Sequence, residues 1–191
     1  MGERTTAKTA RGASASLFRR ICERAPWCRV DVIEAMLGLA VEIGREGREG
    51  RRIGTLFTIG RADDVLALSR PLILDPLAGH APDATHITDP NLRGTVKELA
   101  QLDGAFVVSD DGRFVSACRY LNAAVDQVQL PLGLGSRHLA AASVSRALGI
   151  LAIVVSESAV VRLFSGGDLI AEIIPELWLL HQTTAPRSSM R

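Results

Sequence analysis

The chain has 191 residues, of which 47% are hydrophobic and 23% are charged, and its formal net charge at pH 7 is +1. This length and balance predict one globular domain that buries its own core without a disulfide or a metal. A net charge so close to zero argues against bulk electrostatic attraction to nucleic acid or to an anionic membrane surface.

Neither a membrane span nor a secretory signal is evident in the sequence. No stretch approaches the roughly 20 apolar residues of a membrane helix, and Met1–Arg20 has no apolar core. The three cysteines, Cys22, Cys28 and Cys118, are odd in number and do not follow a zinc-binding spacing. We therefore expect a cytoplasmic protein with free thiols.

Both ends of the chain are predicted to be flexible tails, because they are rich in small, polar and basic residues. The first tail covers residues 1–27 and contains a short predicted helix at Leu17–Arg24. The second covers residues 183–191. The predicted domain occupies residues 28–182 between them.

The elements of the domain are predicted from hydrophobic periodicity and from capping and turn residues. The predicted helices are Asp31–Gly44, Arg61–Ser69, Pro90–Leu102 and Arg137–Leu148. The predicted strands are Gly54–Gly60, Ala105–Val108, Phe114–Arg119, Ile150–Ser156, Val160–Phe164 and Leu169–Ile174. Pro71–Pro90 is predicted to be an extended connection. Hairpins beside helical crossovers predict an α/β fold with a mixed central β-sheet of six or seven strands flanked by helices.

An acidic residue is followed by glycine where a predicted helix meets a predicted strand, at Asp103-Gly104-Ala105. Glycine lets backbone approach a ligand closely while the neighbouring carboxylate points into the site. Short motifs of this kind also occur in ordinary loops that end a helix. The residues alone leave both interpretations open.

A glycine-rich segment, Gly133–His138, leads into a predicted helix. Its glycines, including Gly135, relieve crowding, and the helix that Ser136 would cap offers free N–H groups and positive potential to an anion. Arg137 can fork onto phosphate oxygens, and His138 can donate to a phosphate or titrate near neutral pH. The segment indicates a phosphate site, although an ordinary capped helix with surface Arg and His side chains has the same pattern.

Two weaker candidates complete the survey. Ser156 and Glu157 follow a predicted strand, and ligands of α/β sheets gather beyond the carboxyl ends of strands. A polar loop start is the alternative for this pair. His80 and His86 form a loose pair in the extended connection, where solvated side chains fit better than a metal site.

Four segments in this order resemble the diadenylate cyclase (DAC, DisA N-terminal) family. They are DGA at Asp103–Ala105, RYL at Arg119–Leu121, GLGSRHLAA at Gly133–Ala141 and IVVSES at Ile153–Ser158. The stretch Glu34–Asp75, with GTLFTIG and RPLILDP, is also similar to the soluble bacterial members. Four ordered motifs are far more specific than any one of them.

The resemblance implies a mixed sheet wrapped by helices, ATP as substrate and Mg²⁺, Mn²⁺ or Co²⁺ as a helper ion. It also implies self-association, with two domains face to face or in a higher oligomer, each holding one ATP. Each 3′-hydroxyl would attack the α-phosphate of the other ATP, giving cyclic di-AMP and two pyrophosphates. Phosphoryl transfer of this kind needs charge neutralisation and positioning more than covalent help.

The resemblance further implies roles for individual residues. Asp103 would bind metal and prepare the 3′-hydroxyl, Glu157 would be a second metal ligand, and Arg137 and His138 would complete the catalytic set. The implied nucleotide-binding residues are Gly104, Ala105, Tyr120, Leu121, Gly135, Ser136, Ser156 and Glu157.

One position departs from the family pattern. Leu139 stands where the family carries the second arginine of an Arg-His-Arg motif, and a leucine donates nothing to pyrophosphate. A missing charge-assisted contact costs about 1.5–3 kcal/mol. Arg119 and Arg146 are the candidates to compensate. Ser158 also stands where many members carry a second acid.

The departure leaves more than one function open. An active cyclase is the leading hypothesis, and a nucleotide-binding sensor of the same fold with weak or no turnover is the alternative. A plain interaction domain that has kept only the fold is a third. Because no membrane anchor and no DNA-reading module are evident, we expect a stand-alone soluble member that binds neither nucleic acid nor membrane.

Overall fold

Residues 16–122 and 128–178 are described by a computed structural model of the chain. Its helices are α1 at 16–24, α2 at Val30–Glu46, α3 at Ala62–Ala67, α4 at Pro90–Leu99 and α5 at Ser136–Leu148, with a 3₁₀ helix at Pro82–Thr85 and a helical turn at 175–178. Its strands are β1 at Thr55–Ile59, β2 at Ser69–Pro71, β3 at Ala105–Val108, β4 at Phe114–Leu121, β5 at Leu151–Val155, β6 at Val161–Ser165 and β7 at Asp168–Ile173.

The strands form one sheet in the order β2-β4-β3-β1-β5-β6-β7. β1 lies at its centre, parallel to β3 and antiparallel to β5, and the other neighbouring pairs are antiparallel. The predicted α/β fold with a mixed sheet of six or seven strands is therefore confirmed. Each predicted strand and each predicted domain helix is present, with ends shifted by a few residues.

β2 is the strand that the sequence did not predict. Ser69–Pro71 was expected to divide between a helix and an extended connection, but it pairs with the end of β4 through Arg70 and Tyr120. Proline is tolerated here because β2 is an edge strand. The pairing also extends β4 two residues beyond its predicted end, to Leu121.

Alternate side chains along each strand point to opposite faces of the sheet. Both faces are buried, because each one contributes to a hydrophobic core. Phe57, Phe106 and Phe114 pack ring against ring in the larger core, on the side of α2 and α4. Leu56 and Ala105 face the smaller core, under α3 and α5. The result is three layers, with helices on both sides of the sheet.

The N-terminal segment differs from the predicted tail. Ile21 in α1 and Ala25 directly after its end are each 1% exposed and belong to the larger core. The short predicted helix is thus present at 16–24, and the packed unit begins before residue 28. The predicted tail at 183–191 lies outside the described residues. Within the described ranges, no helix is both long enough and apolar enough to cross a membrane.

Candidate functional site

The predicted site segments converge at one edge of the sheet. β1 and β3 both begin there, with Leu56 opposite Ala105, and β5 ends there, with Val155 opposite Thr55. β4 also ends at this edge, with Arg119 opposite Ala105. Because α5 starts beside the same edge, its first turn meets the segments that precede β3 and follow β5.

A cleft of about 780 Å³ opens at this edge. Among the residues predicted for the site, its walls contain Asp103, Gly104, Ala105, Tyr120, Leu121, Ser136 and Arg137. They also contain Leu56, Leu72, Asn122 and Ala140, which the sequence did not predict as site residues. Leu139, the departure from the family pattern, and Arg119, one candidate to compensate for it, line the cleft as well. Neighbouring residues of a strand face opposite sides of the sheet. Because Phe57 faces the larger core, Leu56 faces the side of α5, and this alternation in the sequence could have identified Leu56 as a cleft residue.

Arg137 stands at the centre of the site. Its Nη2 donates to Asp103 Oδ1 and its Nη1 donates to Glu157 Oε1, each at 3.3 Å. The Asp103 and Glu157 side chains are 87% and 70% exposed, so both carboxylates are open to solvent. One guanidinium therefore draws together two acids from opposite halves of the sheet.

Gly54 explains how Arg137 reaches both acids. A Cβ atom at this position, directly before β1, would lie 2.7 Å from Nη1 of Arg137 and 3.3 Å from Cγ of Glu157. The missing side chain leaves the space that the guanidinium occupies. The sequence indicated Gly54 only as a strand boundary, because no local pattern shows what packs above it.

Gly104 is required by close backbone packing. Its φ is +107°, and a Cβ there would lie 2.6 Å from the carbonyl carbon of Cys118 and 2.7 Å from the amide nitrogen of Arg119. The close approach predicted from Asp103-Gly104 is therefore made to strand β4. This contact fixes the backbone that carries the Asp103 carboxylate.

The β4 wall of the cleft is held by arginines. Arg119 donates from Nε to the Ser69 hydroxyl at 3.0 Å and from Nη2 to the backbone oxygens of Leu66 and Ser69. The Arg70 guanidinium lies 4.6 Å from the ring centroid of Tyr120. Arg119 thus lines the cleft, with its Nε and Nη2 engaged by β2 and by the segment before it.

Arg146, the other candidate to compensate for Leu139, lies in the last turn of α5. Arg137 and the cleft are at the opposite end of that helix. Leu139 itself lines the cleft.

His138 lies away from the cleft walls, in contrast to its predicted contact with phosphate. Its side chain is only 8% exposed and packs edge-on against Phe164, with 6.2 Å between ring centroids. Consecutive helical residues point about 100° apart, so Arg137 faces the cleft while His138 faces the sheet with Ala141 and Ala142.

The surroundings of His138 favour its neutral form. Burial is the main cause that lowers the pKa of the imidazole, and the positive charges of Arg162 and Arg137 lower it further. Its Nε2 lies 3.4 Å from Nη1 of Arg162. Because a guanidinium has only donors, Nε2 is the acceptor and the proton is on Nδ1.

Three other predicted site residues, Gly135, Ser156 and Glu157, are not among the described residues that line the cleft. Gly135 is the N-cap of α5, and its carbonyl oxygen accepts from the amides of His138 and Leu139. The Ser156 hydroxyl accepts from the Val160 amide at 3.2 Å and so closes the turn between β5 and β6. Glu157 reaches the site through Arg137 and is not among the described residues that line the cleft.

The acids of the site are suited to a hard divalent ion that shares its ligands with a substrate. In the described part of the chain, no three His, Cys, Asp or Glu side chains cluster as a metal site. Mg²⁺ is commonly held by one or two carboxylates together with substrate phosphates. Asp103 and Glu157, both exposed and both drawn to one guanidinium, fit that arrangement.

Comparison with known proteins places these residues in a family context. A family model described as DisA bacterial checkpoint controller nucleotide-binding (DAC) matches residues 42–169. The chain is 46% identical over 149 residues to a diadenylate cyclase of Methanocaldococcus jannaschii, covering 78% of this chain and 47% of that protein. It is 42% identical over 148 residues to a diadenylate cyclase of Haloferax volcanii, covering 77% of this chain and 54% of that protein.

The chain spans about half the length of these two relatives. Among solved structures, a double cysteine variant of DacA from Staphylococcus aureus is similar with a TM-score of 0.51 at 18% identity. The match covers 80% of this chain and 92% of the solved chain. At that identity the likeness establishes a shared fold.

Proposed function

This chain belongs to the DAC family, and from that premise we propose that it joins two ATP molecules into cyclic di-AMP and releases two pyrophosphates. The observation that carries the proposal is that Asp103 and Glu157 both accept from Arg137, which lines the cleft together with Asp103. Two acids and one arginine supply the opposite charges that bind a cation and a phosphate side by side.

The reaction makes two equivalent bonds. Each 3′-oxygen forms a bond to the α-phosphorus of the other ATP, and each bond from that phosphorus to the bridging oxygen of the β-phosphate breaks. Two pyrophosphates leave, and each attacking hydroxyl gives up its proton. We assign Asp103 to the attacking hydroxyl, whose proton its carboxylate accepts as a general base.

Phosphate binding is assigned to the start of α5. The N-cap Gly135 makes no side-chain cap hydrogen bond, so N–H groups of the first turn remain to face an anion. Ser136 adds a hydroxyl, and Arg137 turns from the acids to the phosphate oxygens. Tyr120 and Leu121, on the opposite wall, are assigned to the adenine. His138 is given a supporting role, because its side chain is buried.

Asp103 and Glu157 would hold the divalent ion, Mg²⁺, Mn²⁺ or Co²⁺, that the family resemblance implies. When bound, such an ion supplies charge neutralisation at the reacting oxygens. The residues of the chain would orient the phosphates, and Arg137 would keep the two acids near each other.

Self-association follows from the chemistry of the product. One cleft binds one ATP, and the ring of cyclic di-AMP closes only when each nucleotide both attacks and is attacked. We therefore propose that two copies of this chain meet with their clefts face to face. This arrangement brings the 3′-hydroxyl of the ATP bound to one copy to the phosphate that Arg137 of the other copy holds.

A second candidate function has a specific observation in its favour. Leu139 lines the cleft one residue after His138, and its side chain offers no donor to a phosphate. Of the two arginines that could compensate, Arg146 lies at the far end of α5, and Arg119 has its Nε and Nη2 engaged with β2 and the segment before it. A nucleotide-binding sensor with little or no turnover is therefore the alternative.

The deciding experiment follows the products of ATP by mass spectrometry. The full chain is incubated with ATP and, separately, with Mg²⁺, Mn²⁺ or Co²⁺, and its folding is checked by circular dichroism. We expect cyclic di-AMP and pyrophosphate with at least one ion. Folded protein that binds ATP and forms no product with any of the three would overturn the cyclase proposal in favour of the sensor.

Leu139→Arg is expected to raise the rate of product formation. A restored charge-assisted contact contributes about 1.5–3 kcal/mol when it acts in the transition state, which corresponds to roughly 10- to 100-fold. Initial rates at saturating ATP measure the effect. Leu132→Arg is the matched control, because Leu132 is fully exposed in the loop before α5 and does not line the cleft. Equal gains in both variants would mean that added charge acts only at long range.

A further inference from the structure

The first turn of α5 is closed by two backbone hydrogen bonds to Gly135 and has no side-chain cap. Its N-cap makes no side-chain hydrogen bond, and the side chains of Ser136 and Arg137 turn toward the cleft. Helix ends without caps fray, because their terminal N–H groups have no partner within the helix. Something else must therefore hold the turn that presents Arg137.

His138 is the buried side chain of this turn. Ser136, Arg137 and Leu139 are exposed or half-buried, whereas His138 is inserted between α5 and strand β6. Its Nε2 accepts from Nη1 of Arg162 at 3.4 Å, and its Nδ1 has no hydrogen-bond partner within the described ranges. Among the described residues, the hydrogen bond from Arg162 is therefore the one side-chain hydrogen bond that the imidazole makes.

Arg162 is itself fixed in place. Its side chain is 15% exposed, and its Nε donates to Glu172 of β7 at 2.7 Å. It stands near the start of β6, opposite Val154 of β5. The turn between these two strands carries Glu157. The Arg162–His138 contact therefore joins the turn of α5 that holds Arg137 to the hairpin that holds Glu157.

We propose that Arg162 is a positioning residue of the nucleotide site, acting through His138 to hold the first turn of α5, and with it Arg137, at the edge of the sheet. This inference rests on the proposed function of that site. Arg162 does not touch the cleft in the described structure, so its effect is on the placement of phosphate-binding groups and not on the substrate directly.

The test compares Arg162→Met with Arg146→Met. Both remove an arginine that contacts or belongs to α5, but Arg146 lies in the last turn. Amide hydrogen exchange is measured at His138 and Leu139, whose amides donate to Gly135, and at Gly149, whose amide donates to Ser145. In Arg162→Met we expect exchange to become about 10-fold faster at the first two amides and to stay unchanged at Gly149.

Kinetics supply the second readout. Arg162→Met is expected to raise the KM for ATP by about 10-fold, since misplaced donors weaken phosphate binding. Arg146→Met is expected to change KM by less than about 2-fold. Arg162→Lys, which keeps a donor for the imidazole, is expected to recover most of the loss.

Several outcomes would overturn the proposal. Unchanged exchange at His138 and Leu139 together with a lower unfolding midpoint would make Arg162 a general stabiliser. A higher KM without faster exchange would make Arg162 a direct phosphate ligand. Because the exchange measurement needs no turnover, it remains decisive even if the protein proves not to be a cyclase.

Discussion

Asp103→Asn is expected to lower cyclic di-AMP formation by about 10³-fold or more. The amide keeps the shape of the side chain but removes the charge that attracts both Arg137 and a divalent ion. Loss of several kcal/mol of charge stabilisation in the transition state corresponds to this factor. Initial rates with saturating ATP and excess metal measure it, and thermal unfolding of the same samples reports stability.

The stability of Asp103→Asn should remain within about 0.5 kcal/mol of the wild type, because an exposed ion pair contributes little to folding. Asp64→Asn is the matched control. Asp64 also pairs with an arginine, Arg61, but follows the opposite end of β1. The activity of Asp64→Asn should stay within about 2-fold of the wild-type rate. Retention of more than a tenth of the wild-type rate by Asp103→Asn would exclude a catalytic role for this carboxylate.

Gly104→Ala is expected to have the largest effect on stability. The new Cβ would meet the backbone of Cys118 and Arg119 at 2.6–2.7 Å, and backbone cannot give way as a flexible side chain can. The φ of +107° adds strain for any residue with a side chain. We expect a loss of about 3 kcal/mol or more in the free energy of unfolding, and thermal denaturation measures it as a fall of roughly 6–12 °C in Tm.

Gly94→Ala provides the contrast. Gly94 lies in α4, and nothing lies within 4 Å of an added Cβ there. The same substitution should stabilise the protein by up to about 1 kcal/mol, because alanine favours helix and has fewer unfolded conformations to lose. If Gly104→Ala unfolded at the same temperature as the wild type, the close packing of Gly104 on β4 would be refuted.

Local chemistry in the sequence accounts for most of the fold. The hairpins β3–β4 and β6–β7 were predictable because Asp- and Gly-containing turns separate runs of β-prone residues. The start of α4 was predictable as well, since Asp89 accepts from the Asn91 amide as an N-cap and Pro90 takes the first helical position. Strand β2 was not predictable, because it forms only by pairing with β4. That pairing is a long-range contact, which no local sequence pattern reveals.

The N-terminal helix was missed as part of the core for a related reason. Charged residues surround Ile21 and Ala25 in the sequence, and the composition of the segment resembles a solvated tail. Its burial depends on the larger core, which exists only once the sheet and its helices have assembled. Burial of a few apolar side chains then suffices to hold α1 in place.

The sequence indicated which three charged residues meet, but not where the neighbouring His138 side chain lies. Asp103, Arg137 and Glu157 come together as expected from three separated motifs. His138 was expected to share the role of Arg137 because the two are neighbours in sequence. The helical rotation between them sends one side chain to the cleft and the other into the sheet.

The central place of β1 also bears on the kinetics of folding. Strands β5, β6 and β7 are neighbours in both the chain and the sheet, so their pairing closes only short loops. The pairing of Thr55 with Val155 closes a very long one and carries a correspondingly larger entropic barrier. Asp103 precedes β3 on one side of that pairing, and Glu157 follows β5 on the other. We therefore expect the charges of the site to come together only when this long-range pairing forms.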